Sequence, residues 1–82
     1  MVNVAYGPLF EKTLEKIKDI MLLKKVKNQI KKIMEDPETG KPMRYERKGT
    51  REVYIAPFRL SYAYLKDEEK IVFLDIYHKD KQ

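Results

Sequence analysis

Residues 51–79 read REVYIAPFRLSYAYLKDEEKIVFLDIYHK. The stretch is rich in β-branched and aromatic residues, and it is interrupted at Ala56-Pro57 and again at residues 66–69, where charged residues cluster. This composition and punctuation are typical of three consecutive strands. We therefore predict that these strands form the sheet around which the rest of the chain is organised.

Alternation along each strand divides these residues between two faces of the sheet. The face expected to pack against the rest of the protein carries Val53, Ile55, Leu60, Tyr62, Tyr64, Val72, Leu74 and Ile76. The opposite face is expected to carry Glu52, Tyr54, Arg59, Ser61, Ala63, Phe73, Asp75 and Tyr77, with His78 and Lys79 where the last strand ends. The pattern predicts one packed face and one open face.

Two helical patterns precede the strands. Residues 2–6 alternate like a short first strand, and Gly7-Pro8 ends it, since proline suits the first turn of a helix. The first helix is predicted from Pro8 to Asp19 or Ile20, on the stripe Phe10, Leu14, Ile17 and Met21, and the second has the stripe Leu23, Val26, Ile30 and Ile33. No glycine or proline separates them, so one bent helix is an alternative to the hairpin that we favour.

A loop is predicted next, because proline and glycine punctuate residues 35–42 three times. The resulting order is β-α-α-β-β-β. We predict an α+β fold in which a helical hairpin packs on one face of a small, mainly antiparallel sheet, with residues 1–82 forming a single domain.

Composition narrows the classes of function. The chain has 82 residues, a formal net charge of +5, no cysteine and one histidine. A disulfide framework and a structural zinc site are therefore not expected, and neither is any other metal or cofactor. No apolar run reaches the ~20 residues of a membrane span, so we predict a cytoplasmic protein without a membrane partner. The positive charge favours a polyanionic partner, either nucleic acid or an acidic protein.

Positive charge is densest between residues 41 and 51. This segment contains Lys41, Arg44, Arg47, Lys48 and Arg51 around Tyr45. Basic residues interleaved with an aromatic side chain suit RNA backbone contact and base stacking. We predict that these five cations bind RNA, together with Tyr54 on the open face. A second basic set, Lys24, Lys25, Lys27, Lys31 and Lys32, fits a contact surface or an ordinary solvated helix face equally well.

An ordered set of residues gives the chain a resemblance to a known family. The set is Asp36-Pro37, Gly40, Pro42, Gly49, Arg51, Arg59-Leu60, Tyr62 and His78-Lys79. With this spacing the sequence resembles the RelE/ParE superfamily of bacterial and archaeal toxins over nearly its whole length. It looks more like RelE, the ribosome-dependent messenger RNA endonuclease, than like ParE, which targets DNA gyrase.

The resemblance implies a toxin that cleaves messenger RNA in the ribosomal A site. It also implies inhibition by a wrapping RelB-type antitoxin, in a heterodimer or heterotetramer. In this family, the arginine at the position of Arg59 contacts the scissile phosphate, and the basic residue at the position of Lys79 acts at the same place. RelE proteins often carry lysines where this chain has Glu52 and Tyr54.

RNA cleavage by its own 2′-hydroxyl requires proton transfer and stabilisation of charge on the phosphate oxygens. Arg59 suits charge stabilisation, because guanidinium grips two phosphate oxygens at once. The alternative is a surface arginine paired with Glu52 or Asp75. His78 is the candidate for acid–base work because of its residue type, with a structural histidine as the alternative. Lys79 beside it is the candidate to neutralise the phosphate.

Two other functions stay open at this point. One is a ParE-like inhibitor of DNA gyrase that works by binding alone. The other is an RNA- or ribosome-binding relative with weakened catalysis, since the family's lysines are absent at residues 52 and 54.

Overall fold

The computed structural model describes residues 2–42 and 49–78, which form two α-helices and a five-stranded mixed sheet. The elements are β1 (Asn3–Tyr6), α1 (Pro8–Lys16), α2 (Ile20–Glu35), β2 (Lys41–Pro42), β3 (Thr50–Ile55), β4 (Phe58–Leu65), a 3₁₀ turn (Lys66–Glu68) and β5 (Lys70–His78). The predicted α+β class and the order of the helices and longer strands are confirmed. The two-residue β2 is an addition, because the sequence predicts only a loop there.

The strand order across the sheet is β1-β5-β4-β3-β2. The chain enters at one edge with β1, which runs parallel to β5, and the other pairs are antiparallel. β2 lies at the opposite edge, where Pro42 is tolerated because an edge strand can lack one backbone donor. Strands β3, β4 and β5, which carry the predicted site residues Arg51, Tyr54, Arg59 and His78, are therefore neighbours.

The two helices are separate, as favoured from the sequence, but the first ends earlier than predicted. α1 begins at Pro8 and ends at Lys16, because Ile17 has an extended backbone. The Asp19 carboxylate then accepts hydrogen bonds from the backbone N–H groups of Met21 and Leu22, at 2.9 and 3.3 Å, and begins α2. Met21 is consequently in the first turn of α2 and 64% exposed, so its predicted place on the buried stripe of the first helix is wrong.

Both helices pack on the same face of the sheet, α1 against β5 and α2 against β3. Tyr6, Phe10 and Phe73 form an aromatic cluster with ring centroids 5.6 to 5.7 Å apart, and Tyr62 lies 6.1 Å from Phe73. The buried apolar side chains are Phe10, Val26, Ile33, Ile55, Leu60, Tyr62, Ile71, Phe73 and Ile76. This core occupies the space between the helices and the sheet and leaves the other face of the sheet for the site.

A β-bulge changes which residues of β5 face the core. Ser61 pairs with Asp75 but Tyr62 pairs with Phe73, so Leu74 is an extra residue on β5. The core positions therefore follow the spacing Ile71, Phe73, Ile76 instead of strict alternation. The prediction that placed Val72 and Leu74 in the core and Phe73 on the open face is wrong, because the bulge shifts the pattern by one residue.

Candidate functional site

The open face of the sheet places Arg59 between two tyrosines. Residues directly opposite each other in antiparallel strands project to the same side of the sheet. Arg59 of β4 is opposite Tyr54 of β3 on one side and Tyr77 of β5 on the other. One row further along the strands, Glu52 lies between Ser61 and Lys41. The register thus groups five of the residues that the sequence places on the open face, together with Lys41.

Arg59 lies at the surface of this group and is accessible to a ligand. Its side chain is 39% exposed, and its Nη1 atom is 3.5 Å from Oε1 of Glu52. Of the two pairings considered from the sequence, the structure shows the one with Glu52. The pairing does not bury the guanidinium, so Arg59 combines a fixed partner on the protein side with contact to solvent.

Glu52 is buried, with only 6% of its surface exposed, although it belongs to the open face. The hydroxyl of Tyr77 donates a hydrogen bond to Oε2, and the Arg59 guanidinium pairs with Oε1. Glu52 thereby connects β3 with side chains of both β4 and β5. From the sequence, Glu52 is expected only as a departure from the family pattern and as a partner for Arg59. Further partners of Glu52 could have been expected from the sequence, because a carboxylate in the middle of a strand requires partners when it is buried.

Asp75 is not part of this group. Its Oδ1 atom accepts a hydrogen bond from the Thr13 hydroxyl of α1 at 3.3 Å and another from the backbone N–H of Ile76 at 2.8 Å. Asp75 thus contacts α1, although the sequence places it on the open face, and the bulge at Leu74 lies directly before it in β5. Asp75 therefore attaches β5 to α1 and is not the partner of Arg59.

His78 lies at the end of β5 and is directed away from Arg59. It is opposite Phe58, next to the pair formed by Arg59 and Tyr77, so alternation directs His78 and Tyr77 to opposite sides of the sheet. Its ring meets that of Phe58 edge to face, with centroids 5.7 Å apart and an interplanar angle of 76°. The structure does not bring His78 and Arg59 together on one face, and the acid–base role of His78 stays a prediction.

Arg51 holds the loop that follows α2. Its Nη1 atom donates to the carbonyl oxygens of Glu38 and Gly40, at 3.0 and 2.8 Å. Because Pro42 of β2 pairs with Arg51, the same residue fixes both the loop and the edge strand. Arg51 thus has a structural partner set in addition to its predicted role in RNA binding.

Tyr62 holds the same loop from the core. Its hydroxyl donates to the Pro37 carbonyl oxygen at 2.8 Å and accepts from the Gly40 N–H at 2.9 Å. Burial raises the pKa of the Tyr62 hydroxyl, while the hydrogen bond from Gly40 and the nearby Arg51 act in the opposite direction. One structural unit is therefore formed by five residues of the family pattern: Asp36, Pro37, Gly40, Arg51 and Tyr62.

The remaining predicted binding residues divide into those the structure describes and those it does not. Lys41 is exposed, and Tyr54 is 54% exposed in the row that contains Arg59. Arg44, Arg47, Lys48 and Lys79 lie outside the described residues. Lys41 and Tyr54 are therefore the two predicted RNA contacts that the structure places beside Arg59 and Glu52.

Two properties of residues 2–42 and 49–78 bear on other classes of function. Within these ranges, His, Asp and Glu side chains do not form a group of three or more that could hold a metal ion. In the same part of the chain, neither helix combines the length and apolar character required to cross a membrane.

The chemistry available at the open face is recognition of a phosphate beside an aromatic ring. An exposed guanidinium can bind phosphate oxygens by charge-assisted hydrogen bonds. An exposed tyrosine offers a ring on which a nucleobase can stack. Arg59 and Tyr54 are direct cross-strand neighbours, so one nucleotide can contact both.

Comparison with known proteins gives one family and several similar folds. Residues 4–82 match the family described as the ParE toxin of type II toxin-antitoxin systems. A search of curated protein sequences gives no match. The family match covers almost the whole chain and includes the open-face residues described above.

Solved toxin structures have similar folds. The toxin–antitoxin complex RelBE2 of Mycobacterium tuberculosis gives a TM-score of 0.80 at 24% identity, over 95% of this chain and 98% of that chain. The YoeB/ParE toxin of Agrobacterium tumefaciens gives 0.84 at 14% identity, over 94% and 98%. The archaeal RelE–RelB complex of Pyrococcus horikoshii gives 0.76 at 13% identity, over 99% and 98%. At these identities the similarity establishes the fold.

Proposed function

Because this chain belongs to the ParE toxin family of type II toxin–antitoxin systems, within the RelE/ParE superfamily, we propose that it is a ribosome-dependent endonuclease that cleaves messenger RNA in the A site. The observation that carries the proposal is Arg59, an accessible guanidinium flanked by Tyr54 and Tyr77 on the open face. A toxin that acts by binding alone does not require a phosphate-binding group in this position.

In the proposed reaction, the 2′-hydroxyl of the message attacks the neighbouring phosphorus and the 5′-oxygen leaves. Arg59 stabilises the negative charge that develops on the phosphate oxygens. Tyr54 stacks on a base next to the scissile bond and contributes to its orientation. Lys79 and His78 remain the candidates for neutralising the phosphate and for proton transfer. This route needs no metal ion at the site.

Contacts to the RNA backbone are proposed for the basic segment. Lys41, Arg44, Arg47, Lys48 and Arg51 would hold messenger or ribosomal RNA next to the site. Of these, Lys41 is exposed on the same face as Arg59, which supports its assignment. Arg51 would contact RNA with guanidinium nitrogens other than the one engaged by the loop carbonyls.

The proposed partner is an acidic antitoxin of the RelB type, in a heterodimeric or heterotetrameric complex in the cytoplasm. Support comes from the fold relatives, since the structures from Mycobacterium tuberculosis and Pyrococcus horikoshii are complexes of a toxin with its antitoxin. The formal charge of +5 also favours an acidic partner.

A second candidate function is inhibition of DNA gyrase by binding. One specific observation favours it: Glu52 pairs with Arg59 and reduces the net positive charge where RelE proteins often carry lysine. The family description, which is that of ParE toxins, points in the same direction. A third candidate is an RNA-binding relative with weakened catalysis, and the presence of Glu52 where RelE proteins often carry lysine favours this candidate as well.

The deciding experiment compares two assays on the same purified protein. One measures cleavage of a defined message on programmed ribosomes by mapping new 5′ ends, and the other measures DNA supercoiling by gyrase. Site-specific cleavage with unaffected supercoiling supports the endonuclease, whereas inhibited supercoiling with an intact message supports the second candidate.

Arg59→Ala is the variant that tests the proposed site. Loss of a preorganised charge stabiliser should lower the cleavage rate by about 10²- to 10³-fold. Lys12→Ala is the matched control, because it removes one exposed positive charge on α1 and should leave cleavage unchanged. A folded Arg59→Ala protein that cleaves at the wild-type rate would exclude Arg59 from the mechanism.

A further inference from the structure

Glu52 is the feature of the open face that the proposed function does not yet explain. A polyanion-binding surface gains nothing from a carboxylate directly beside its accessible arginine. A buried carboxylate is also costly to desolvate unless hydrogen bonds and opposite charges compensate. Glu52 nevertheless lies in the middle of β3, 6% exposed, in contact with Arg59 and Tyr77.

The contacts of Glu52 constrain both neighbours of the proposed phosphate position. Arg59 and Tyr77 are opposite each other on β4 and β5, and Glu52 reaches both from the adjacent row of β3. One carboxylate oxygen accepts from the Tyr77 hydroxyl and the other pairs with Nη1 of Arg59. An arginine side chain has several rotatable bonds, so a fixed partner at one nitrogen restricts the directions available to the rest of the guanidinium.

We propose that Glu52 is the positioning residue of this site, which orients Arg59 and Tyr77 and at the same time weakens the binding of the phosphate anion. This role rests on the proposed function, and through it Glu52 would determine both the affinity of the site for RNA and the rate of cleavage. The contact with Tyr77 requires an acceptor oxygen of Glu52, and the contact with Arg59 is an ion pair at 3.5 Å, whereas the weakened binding of RNA requires the negative charge alone. These two effects can therefore be separated by substitution.

Glu52→Gln removes the charge and nearly preserves the shape. A bound phosphate would no longer be repelled by a neighbouring carboxylate, so affinity for RNA should rise by about three- to tenfold at low salt. The amide keeps one acceptor oxygen and has an NH2 donor in place of the other, so it cannot serve both Arg59 and Tyr77, and cleavage of bound RNA should fall by about tenfold or more. Tighter binding combined with slower cleavage is a result that simple loss of folding does not produce.

Tyr77→Phe separates the two effects. It removes a hydroxyl donor to Glu52 but leaves the negative charge and the aromatic ring in place. Orientation should suffer while repulsion stays, so cleavage should fall without any gain in affinity. Glu68→Gln is the control for charge, since Glu68 is exposed in the turn beyond the far end of β4. Six residues at about 3.3 Å each place that end of β4 roughly 20 Å from Arg59. Glu68→Gln should change neither quantity.

The experiment uses the full chain and a fluorescent single-stranded RNA whose 2′-hydroxyls are methylated, so that binding is measured without cleavage. Cleavage is measured separately on programmed ribosomes. A third measurement follows the Nη–Hη resonances of Arg59 by NMR at low temperature, identified by their absence in Arg59→Lys, because Glu52 pairs with Nη1. In the wild type, these protons should exchange more slowly with water than in Glu52→Gln.

The NMR measurement requires neither RNA nor ribosomes, so it decides the role of Glu52 even if the wild type does not cleave RNA. Faster exchange in Glu52→Gln with unchanged exchange in Glu68→Gln supports the positioning role. Identical Arg59 exchange in a folded Glu52→Gln protein overturns that role. Unchanged or weaker RNA binding by the same variant overturns the repulsion. Absence of cleavage by the wild type counts against the proposed function alone.

Discussion

Tyr62 contributes to the fold through its buried ring and also through its hydroxyl. Its position on the packed face was predicted from alternation and is confirmed, since the side chain is fully buried against Phe73. Its hydroxyl bridges the loop after α2 by contacts to Pro37 and Gly40. A Cβ atom at Gly40 would lie 2.6 Å from that hydroxyl oxygen, so glycine is needed here to allow the close approach.

Tyr62→Phe should therefore destabilise the protein by about 1–3 kcal/mol, because it leaves a buried N–H and a carbonyl oxygen without their partner. The free energy of unfolding in urea at neutral pH measures the effect. Tyr64→Phe, at a half-buried position in the same strand, is the control. Equal stability of the two variants would show that the bridge contributes little.

The same substitution has a predicted dependence on pH. Burial raises the pKa of Tyr62 in the folded state above the usual value of about 10 that applies to the unfolded chain. The folded state therefore retains this proton more strongly, and the associated stability is fully present below about pH 10. It is lost as the pH rises through the raised pKa. The stability difference between the wild type and Tyr62→Phe should shrink above about pH 10, and a constant difference would contradict the assignment.

The helical hairpin depends on a very short break between α1 and α2. Between Lys16 and Ile20 the chain has neither glycine nor proline, and the helices are separated by the extended Ile17 and the capping carboxylate of Asp19. The cap also determines that Ile20 and Met21 lie in the first turn of α2, where both are exposed. A pattern of apolar spacing cannot detect this boundary, because the two stripes run into each other.

Asp19→Ala should lower stability by about 0.5–2 kcal/mol through loss of the cap. Asp19→Asn retains an acceptor for the backbone N–H groups of Met21 and Leu22 and should remain close to the wild type. Chemical denaturation of both variants measures the difference. If Asp19→Ala is as stable as Asp19→Asn, the cap does not determine the start of α2.

Charge acts on the molecule as a whole. The formal net charge is +5, and the five lysines between residues 24 and 32 are all exposed on α2. An acidic antitoxin would be attracted to this surface before any contact forms, because the fields of separated charges add. The proposed partner would thus associate faster than an uncharged chain of the same shape.

We expect Lys24→Glu to slow association with the proposed antitoxin by severalfold at low ionic strength, and less so at high ionic strength. Lys66→Glu, in the turn between β4 and β5, makes the same change in net charge and serves as the control. Stopped-flow measurements of both variants over a range of salt concentrations test this. Equal slowing would mean that total charge matters and the α2 surface does not.

The sequence by itself determined the order of the helices and the longer strands, the packed and open sides of β3 and β4, the position of Arg59 on the open face and the resemblance to the toxin superfamily. These properties depend on local periodicity and on turn residues, and both can be recognised from a few consecutive positions in the sequence. The bulge in β5 lies outside this information, since Leu74 has nothing in its own surroundings that marks it as the extra residue.

Only the tertiary structure decided which polar groups meet. Glu52 contacts Arg59 and Tyr77, Arg51 contacts the loop at Glu38 and Gly40, and His78 faces away from Arg59. These relations join residues 7 to 25 positions apart or follow from strand register. The physical reason is that the residue type determines which hydrogen bonds and ion pairs a side chain can make, whereas register and packing determine which partner is within reach.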